Sequence, residues 1–280
     1  MPRQESSQTA LLDRSGARAL WQAQSTSGHL LVAENDAYRW LEFGDGVAQS
    51  AFAHAQPHAL VLPYTQWLLA ALLFSNGSQH ATVLGLGGGS VASFLARNAF
   101  EVVAVDADPL VVEAAARYFP LPAQGLDIRT EDARTYLSTA PAGGTDLIVV
   151  DLFTHQGMPR WLAHAAFHDA CAKALAPGGA VCLNLAFDTA DALDEVLEAM
   201  RAAYGDEALA IGVPDHANVI AIAVNGPHPD TKAALQPRTV ALTQRFNLPF
   251  TRMQNAIFAA HGVRDVLRFS ATAASLGLPY

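Results

Sequence analysis

The chain has 280 residues, which is enough for one large domain or two unequal ones. Because 51% of the residues are hydrophobic and only 15% are charged, the composition excludes a disordered protein. The formal net charge is −9 and the sequence contains no run of Lys or Arg, so nucleic acid is not an expected partner.

Membrane insertion and secretion are not expected either. The longest strictly apolar run, Trp67 to Phe74, has eight residues, whereas a membrane-spanning helix needs about 20. The polar first twenty residues predict no secretory signal. Cys171 and Cys182 have neither metal-site nor redox spacing and are predicted to be buried thiols in a reducing compartment. We therefore expect a cytoplasmic protein without a metal site.

The N-terminal quarter of the chain reads as a small β-rich unit followed by a helix. Residues 1 to about 25 are polar and predict an irregular arm. Turn chemistry at 34–36 and 44–46 separates three expected strands. They are placed at 29–33, 38–43 and 47–52. A helix is predicted over 64–74, after Pro63, and we assign the whole unit to residues 1–75.

Residues 76–280 follow a different pattern, in which short apolar strands alternate with helices. Strands are expected at 81–86, 101–106, 126–129, 146–151, 180–185 and 219–224. Helices are expected at 90–98, 109–119, 133–138, 161–175 and 190–204, and near 238–246 and 251–261 after a Pro-rich link over 226–237. This alternation predicts an α/β fold with a Rossmann-like, mostly parallel sheet covered on both faces.

A glycine-rich loop and three acids mark the candidate site. Gly85-Leu86-Gly87-Gly88-Gly89-Ser90 follows the first of these strands and opens a helix, and Asp106 ends the second strand. A carboxylate there can bind the two hydroxyls of a ribose. Asp132 and Asp151 follow the next two strands, at the same expected edge of the sheet. The loop has no cation for a phosphate, so a nucleoside carrying a positive sulfonium suits this edge better than a pyrophosphate.

With these motifs in their order and spacing, the chain resembles the spermidine synthase family, the polyamine aminopropyltransferases built on the class I methyltransferase fold. The resemblance covers about residues 32–224. The segments that carry it are 44–49 (GDGVAQ), Tyr64, 83–89 (VLGLGGG), 103–108 (VAVDAD), 131–134 (EDAR), 149–151 (VVD) and 175–179 (LAPGG).

The resemblance implies an aminopropyl transfer from decarboxylated S-adenosylmethionine to a small amine, with methylthioadenosine as product and no permanently bound cofactor. It implies that Asp151 is the catalytic residue. Residues implied to bind the nucleoside cosubstrate are Gly85, Gly87, Gly88, Gly89, Ser90, Asp106, Ala107, Asp132, Ala133 and Gln49. Tyr64, Thr154 and His155 are expected at the acceptor amine, and the family pattern implies a homodimer.

Two departures from the family pattern leave other functions open. Ser90 stands where the family carries an Asp that binds the aminopropyl ammonium, and Thr154 replaces a second acid that grips a diamine. A hydrogen bond to a charged group is worth about 1.5–3 kcal/mol, so weak diamine binding or a different acceptor follows. An S-adenosylmethionine-dependent methyltransferase is one alternative, although Gly85 stands where those enzymes usually carry an acid. A non-catalytic nucleoside-binding homologue is the other.

Overall fold

The computed structural model describes residues 12–44, 46–76, 79–186, 189–205, 208–263 and 266–267. Asp45, in the middle of the Gly-Asp-Gly turn, lies outside the described residues, as do residues 1–11 of the expected arm.

A four-stranded antiparallel sheet forms the N-terminal part of the chain. Its strands, in spatial order, are β1 (Arg18–Ser25), β2 (Gly28–Glu34), β3 (Tyr38–Glu42) and β4 (Ala48–Ala53). The predictions for the last three are confirmed to within one residue at each end. The prediction of an irregular arm is wrong for residues 18–25, because β1 pairs with β2 along its length. As an edge strand whose residues are exposed or half-buried, β1 has no clear apolar alternation.

The helix expected after Pro63 forms in two parts. α1 (Pro63–Leu68) has Pro63 in its first turn, where the missing N–H costs nothing. A 3₁₀ turn (Leu69–Leu73) continues it, and all five of its residues are buried. This turn packs against the second sheet, which explains an apolar run with no polar face.

Seven strands form the second sheet, in the order β10-β11-β9-β8-β5-β6-β7. They are β5 (His80–Leu84), β6 (Glu101–Asp106), β7 (Leu126–Thr130), β8 (Thr145–Val150), β9 (Leu175–Leu185), β10 (Ala208–Gly212) and β11 (Val219–Val224). The five from β5 to β9 run parallel, and β11 lies antiparallel between β9 and β10. The predicted α/β class, with a mostly parallel Rossmann-like sheet and a small N-terminal β unit, is confirmed.

This strand order creates the crevice in which ligands bind in such sheets. From β5 the chain moves to β6 and β7 on one side and then returns to β8 on the other. The connections leave β5 in opposite directions, and the carboxyl ends of β5, β6 and β8 border the position at which such sheets bind ligands.

Seven further helices flank this sheet. They are α2 (Ser90–Arg97), α3 (Pro109–Tyr118), α4 (Ala133–Thr139), α5 (Ala165–Ala174), α6 (Ala190–Tyr204), α7 (Lys232–Phe246) and α8 (Phe250–His261). The helix expected over 161–175 divides into a 3₁₀ turn (Arg160–Ala163) and α5, and β9 begins at Leu175. β10 was not predicted, because its Ala- and Leu-rich five residues do not distinguish a strand from a helix.

The expected Pro-rich link is shorter than predicted. α7 begins at Lys232, and Pro237 lies inside it. Proline normally disrupts a helix interior by removing a donor. Here Leu235, Thr239 and Leu242 are buried on one face of α7, so tertiary packing holds the helix together.

One hydrophobic core connects the two sheets. It contains Trp40 and Ala51 from the first sheet, Val83 and Val102 from the second, and Phe250 from α8. A second cluster fills the opposite face of the large sheet, beneath α4, α5 and α6. The first sheet is therefore packed as part of the main body at the ends of β5 and β6.

Two further expectations concern the cysteines and the absence of a membrane-spanning helix. Cys171 and Cys182 are free and buried, as predicted. Across the described ranges, no helix combines the length and apolarity needed to cross a bilayer.

Candidate nucleoside-binding active site

The glycine-rich loop passes between the ends of two strands. The N–H of Gly85 donates to the carbonyl of Val105 at the end of β6 (2.8 Å), while the N–H of Asp151 donates to the carbonyl of Leu84 (2.8 Å). A Cβ on Gly85 would lie 2.0 Å from the main-chain oxygen of Asp151, and the residue has a φ of +96°. Only glycine fits there, and it lets the loop that leaves β5 pass in close contact with the ends of both β6 and β8.

The next two glycines face the N-terminal sheet. The N–H of Gly88 donates to the hydroxyl of Ser50, on β4, at 2.8 Å. A Cβ on Gly87 would lie 2.5 Å from that hydroxyl, and a Cβ on Gly88 would lie 2.6 Å from the ring of Phe119. The small sheet thus docks on the glycine-rich loop, a contact that the sequence analysis did not predict. Gly89 caps α2, whose first residue is the half-buried Ser90.

Asp106 holds the loops at the end of β6. One carboxylate oxygen accepts from the N–H of Leu86 (2.9 Å) and the other from the N–H of Asp108 (3.0 Å). Burial raises the pKa of Asp106, and these backbone hydrogen bonds oppose the rise. The backbone of Gly87 also donates to this carboxylate, and of the four carboxylate lone pairs one then remains for a ribose hydroxyl. Ala107, the next residue, is exposed.

Asp132 has a structural role besides the expected contact with the nucleoside cosubstrate. It caps α4, accepting from the N–H of Arg134 (2.8 Å), and its other oxygen pairs with the Arg134 guanidinium (2.9 Å). The hydrogen bond from Arg134 lowers the pKa of Asp132. The guanidinium lies 4.8 Å from the ring centroid of Trp161. Ala133 is buried at the start of α4.

Asp151 lies at the end of β8, in contact with three elements. Its Oδ1 accepts from Nδ2 of Asn184, on β9, at 2.8 Å. The hydroxyl of Tyr64, on α1, lies 2.8 Å from the carbonyl of Gln49 and also faces Asp151, so its single proton serves one of these two acceptors at a time. Gln49 is half-buried on β4.

The electrostatics of this pair suit proton transfer. Burial raises the pKa of Asp151 to about 6, against the hydrogen bonds from Asn184 and Tyr64. Burial and the Asp151 charge raise the pKa of Tyr64 above its ordinary value, so the phenol stays a neutral donor. A carboxylate with a pKa of about 6 is mostly ionised at neutral pH and is still a useful proton acceptor.

Thr154 and His155 hold the loop after β8 in place. Thr154 closes a tight turn, with its hydroxyl donating to the carbonyl of Gly157 (3.2 Å) and accepting from the N–H of Gln156 (3.2 Å). The backbone N–H of His155 donates to the carbonyl of Ser27 (2.9 Å), and Nδ1 of its ring lies 3.1 Å from the same oxygen. These contacts are made with the loop itself and with the β1–β2 turn, not with Asp151.

The β1–β2 turn reaches across the crevice. Ser25 donates its hydroxyl to Asp108, and the N–H of Ser27 lies 3.3 Å from the same carboxylate oxygen. Since Ser27 also binds His155, the turn connects the loop after β6 with the loop after β8. Asp106 and Asp151 lie on the strands that those two loops follow.

Sequence reasoning missed four residues of this region: Ser50, Asp108, Asn184 and Asn218. Asn184 carried a usable signal, because it is the one polar residue in the otherwise apolar segment 180–185. Asp108 fits the N-cap pattern before Pro109. Ser50 and Asn218 have no local signal, since only the packing of distant elements places them.

The other features of the surface do not belong to this site. A cavity of about 680 Å³ lies at the amino edge of the large sheet, lined by the first residues of β5, β6, β7 and β8. No group of three or more potential metal ligands is found in the ranges that the structure covers.

Comparisons with known proteins show which family and fold the chain resembles. The sequence matches the family described as "Methyltransferase domain" over residues 83–183. A polyamine aminopropyltransferase of Chromobacterium violaceum is 29% identical over 231 residues, which is 81% of this chain and 88% of that protein.

Solved structures show the same fold. A probable spermidine synthase from Corynebacterium glutamicum superposes with a TM-score of 0.68 at 19% identity, covering 92% of this chain and 99% of that one. A spermidine synthase in complex with the transition state analogue AdoDATO gives a TM-score of 0.66 at 18% identity, covering 86% and 85% of the two chains.

The sheet topology and the structural neighbours show a class I methyltransferase-type α/β fold. Within that class, the resemblance to the spermidine synthase, or polyamine aminopropyltransferase, family is confirmed.

Proposed function

We propose that the protein is a transferase that moves an aminopropyl group from decarboxylated S-adenosylmethionine to a small amine. One observation carries the proposal: a half-buried carboxylate, Asp151, accepts a hydrogen bond from Asn184 and lies beside Tyr64, two strands away from Asp106. Related chains named polyamine aminopropyltransferase support the reaction class.

The chemistry needs positioning more than activation. The nitrogen lone pair of a neutral amine attacks the methylene carbon bonded to the sulfonium, and a C–N bond forms as the C–S bond breaks. The bonding pair returns to sulfur, which becomes the neutral thioether of methylthioadenosine. Asp151 accepts the proton that the new secondary ammonium loses, while Asp106 holds the ribose.

The two missing acids weaken the expected grip on a diamine. The hydroxyl of Thr154 is already engaged with Gly157 and Gln156, so it offers no charge to a distal ammonium. Ser90 likewise supplies no carboxylate for the aminopropyl ammonium. We expect putrescine to bind with methylthioadenosine in the site more weakly than micromolar. Calorimetric titration measures this, and a micromolar dissociation constant would show that neither replacement matters.

Methyl transfer is the second candidate, favoured by the matched methyltransferase domain. Its usual acid would stand at Gly85, where the structure has no room for a side chain. A thermal-shift comparison separates the readings, using S-adenosylmethionine, its decarboxylated form and methylthioadenosine. Preference for the decarboxylated donor, with methylthioadenosine released on adding an amine, supports aminopropyl transfer. Preference for the parent compound supports methyl transfer. Binding of methylthioadenosine without product from either donor supports a non-catalytic nucleoside-binding homologue, and no response to any compound would contradict the nucleoside site itself.

The family resemblance also supports a homodimer in the cytoplasm, acting on a small molecule rather than on nucleic acid. Sedimentation equilibrium tests the dimer, and a monomer at micromolar concentration would contradict it.

A further inference from the structure

A chain of two buried amides leads from Asp151 into the protein. Asn184 donates from Nδ2 to Oδ1 of Asp151, and Asn218 donates from Nδ2 to Oδ1 of Asn184, both at 2.8 Å. Asn184 and Asn218 are each only 3% exposed. The chain joins the ends of β8 and β9 to the residue that precedes β11, and these three strands are neighbours in the sheet.

Asp151 determines which groups donate and which accept along this series of hydrogen bonds. An ionised carboxylate only accepts hydrogen bonds, so Asn184 must present its amino group to Asp151. The carbonyl of Asn184 then faces away and needs a donor, which Asn218 supplies. Asn218 therefore prevents the Asn184 amide from rotating to bring its oxygen against the carboxylate.

Packing alone does not explain these two amides. The neighbours of Asn184 in β9, Leu183 and Leu185, are fully buried and apolar. A buried amide costs free energy unless its groups are paired. Asn218 is further fixed through its backbone, whose carbonyl accepts from the N–H of Val213 at 2.8 Å. The pair is thus a rigid support that extends from the turn between β10 and β11 to the carboxylate.

We propose that Asn184 and Asn218 are positioning residues that fix the rotation of the Asp151 carboxylate, so that one oxygen is held inside the protein while the other serves the acceptor amine. The second half of this statement rests on the proposed function, whereas the first half does not.

The titratable groups facing Asp151 are few in the described part of the chain. They are Tyr64 from α1, whose hydrogen bond lowers the pKa of Asp151, and Cys182 from β9, whose own pKa is raised by burial and by the Asp151 charge. Asn184 is neutral and lowers the pKa of Asp151 by donating to its ionised form. Removing Asn184 must therefore shift the titration of Asp151 upward.

The first test needs no substrate. The carboxyl ¹³C signal of Asp151, identified by its absence from Asp151→Asn, is titrated in Asn184→Ala, Asn184→Leu and Asn218→Ala. Loss of a hydrogen bond worth about 1.5 kcal/mol or more raises the midpoint by about one pH unit or more in both Asn184 variants. Asn218→Ala should shift it in the same direction by less. The near-isosteric Leu variant fills the space if the Ala variant does not fold.

Asn225→Ala is the matched control. Asn225 follows the other end of β11, and its side-chain amide donates instead to the backbone carbonyls of Ala172 and Leu175 (3.2 and 3.0 Å). Its loss destabilises the protein without touching Asp151, so the midpoint should not move. An unchanged midpoint in Asn184→Leu, or an equal shift in Asn225→Ala, would overturn the proposal.

The kinetic arm tests the link with catalysis. If aminopropyl transfer is found, the acid limb of the kcat profile moves upward with the NMR midpoint in the Asn184 variants, while KM for the donor stays within about twofold. A limb that stays in place, or a loss confined to KM, would contradict the positioning role. If no transfer is found, the proposed function fails and the titration still decides whether the amides position Asp151.

Discussion

The proposed reaction depends on Asp151 as its proton acceptor. Replacing Asp151 by Asn separates the effect on binding from the effect on proton transfer. Asp151→Asn keeps the shape and can still accept from Asn184, but it cannot take a proton. General-base contributions are typically about 10²–10⁴-fold, so we expect turnover to fall by at least about 100-fold. Affinity for methylthioadenosine should change less than about threefold, by calorimetry. An equal loss of both would make Asp151 a binding residue only.

The same substitution should stabilise the protein at neutral pH. The pKa of Asp151 is raised from 3.8 to about 6 in the folded state. Between these values the folded state binds more protons than the unfolded state, so the wild type loses stability as pH rises from about 4 to about 6. The difference amounts to about 3 kcal/mol above pH 6.

Urea unfolding at pH 4 and pH 7.5 checks this prediction. We compare the free energy of unfolding of Asp151→Asn with that of the wild type at each pH. The advantage of the variant should be larger at pH 7.5 than at pH 4 by up to about 3 kcal/mol. The exposed Asp36→Asn is the control and should change stability by less than about 0.5 kcal/mol at either pH. If instead the free energy of unfolding of the wild type rises relative to that of Asp151→Asn between pH 4 and pH 7.5, burial does not penalise the charge.

Asp106 is expected to decide nucleoside affinity. Its two oxygens also hold Leu86 and Asp108, so Asp106→Ala disturbs the loop as well as the ribose contact. Asp106→Asn is the sharper variant, because it keeps one acceptor and removes the charge. Losing one charge-assisted hydrogen bond weakens binding about 10- to 100-fold. Calorimetry with methylthioadenosine measures this, and an unchanged affinity would remove Asp106 from the site.

At the scale of the secondary-structure elements, the sequence predicts where several strands and helices begin and end, but not which other elements pack against those ends. β6, α6 and β11 begin and end where their patterns predict. Asp106, Asp132 and Asp151 therefore fall at one sheet edge, as expected from parallel strands. The docking of Ser50 on Gly88 and the Asn184–Asn218 pair depend on strand order and on a second sheet. Local periodicity holds no information on either.

The loop between β5 and α2 depends on one position more than on the others. In Gly85→Ala the new methyl would lie 2.0 Å from the main-chain oxygen of Asp151, so the end of β8 must move. We expect a loss of at least about 3 kcal/mol in urea unfolding, together with a loss of nucleoside binding. Gly205→Ala is the control: Gly205 also has a positive φ (+69°), but nothing lies within 4 Å of its Cβ position. It should lose only about 1–2 kcal/mol, and equal losses would show that strain, not the contact with Asp151, makes Gly85 necessary.

On the scale of the whole molecule, the two sheets are expected to unfold as one unit. Residues of both belong to one core, and Arg39 of β3 binds both the buried Glu34 (2.8 Å) and the carbonyl of Tyr118 at the end of α3 (2.8 Å). Separating the small sheet would expose that core and break the hydrogen bond between Arg39 and Tyr118, which is strongly unfavourable.

Hydrogen exchange at increasing urea, read by mass spectrometry, tests this cooperativity. Amides of β2 and β3 should gain exchange at the same urea concentration, and with the same dependence on it, as amides of β5 and β8. Arg39→Ala should lower the midpoint of both groups together, because it loosens a joint of the same cooperative body. Earlier exchange of β2 and β3 alone would instead show that the chain divides near residue 75 into two units, and that the crevice between Asp106 and Asp151 can open without unfolding of the large sheet.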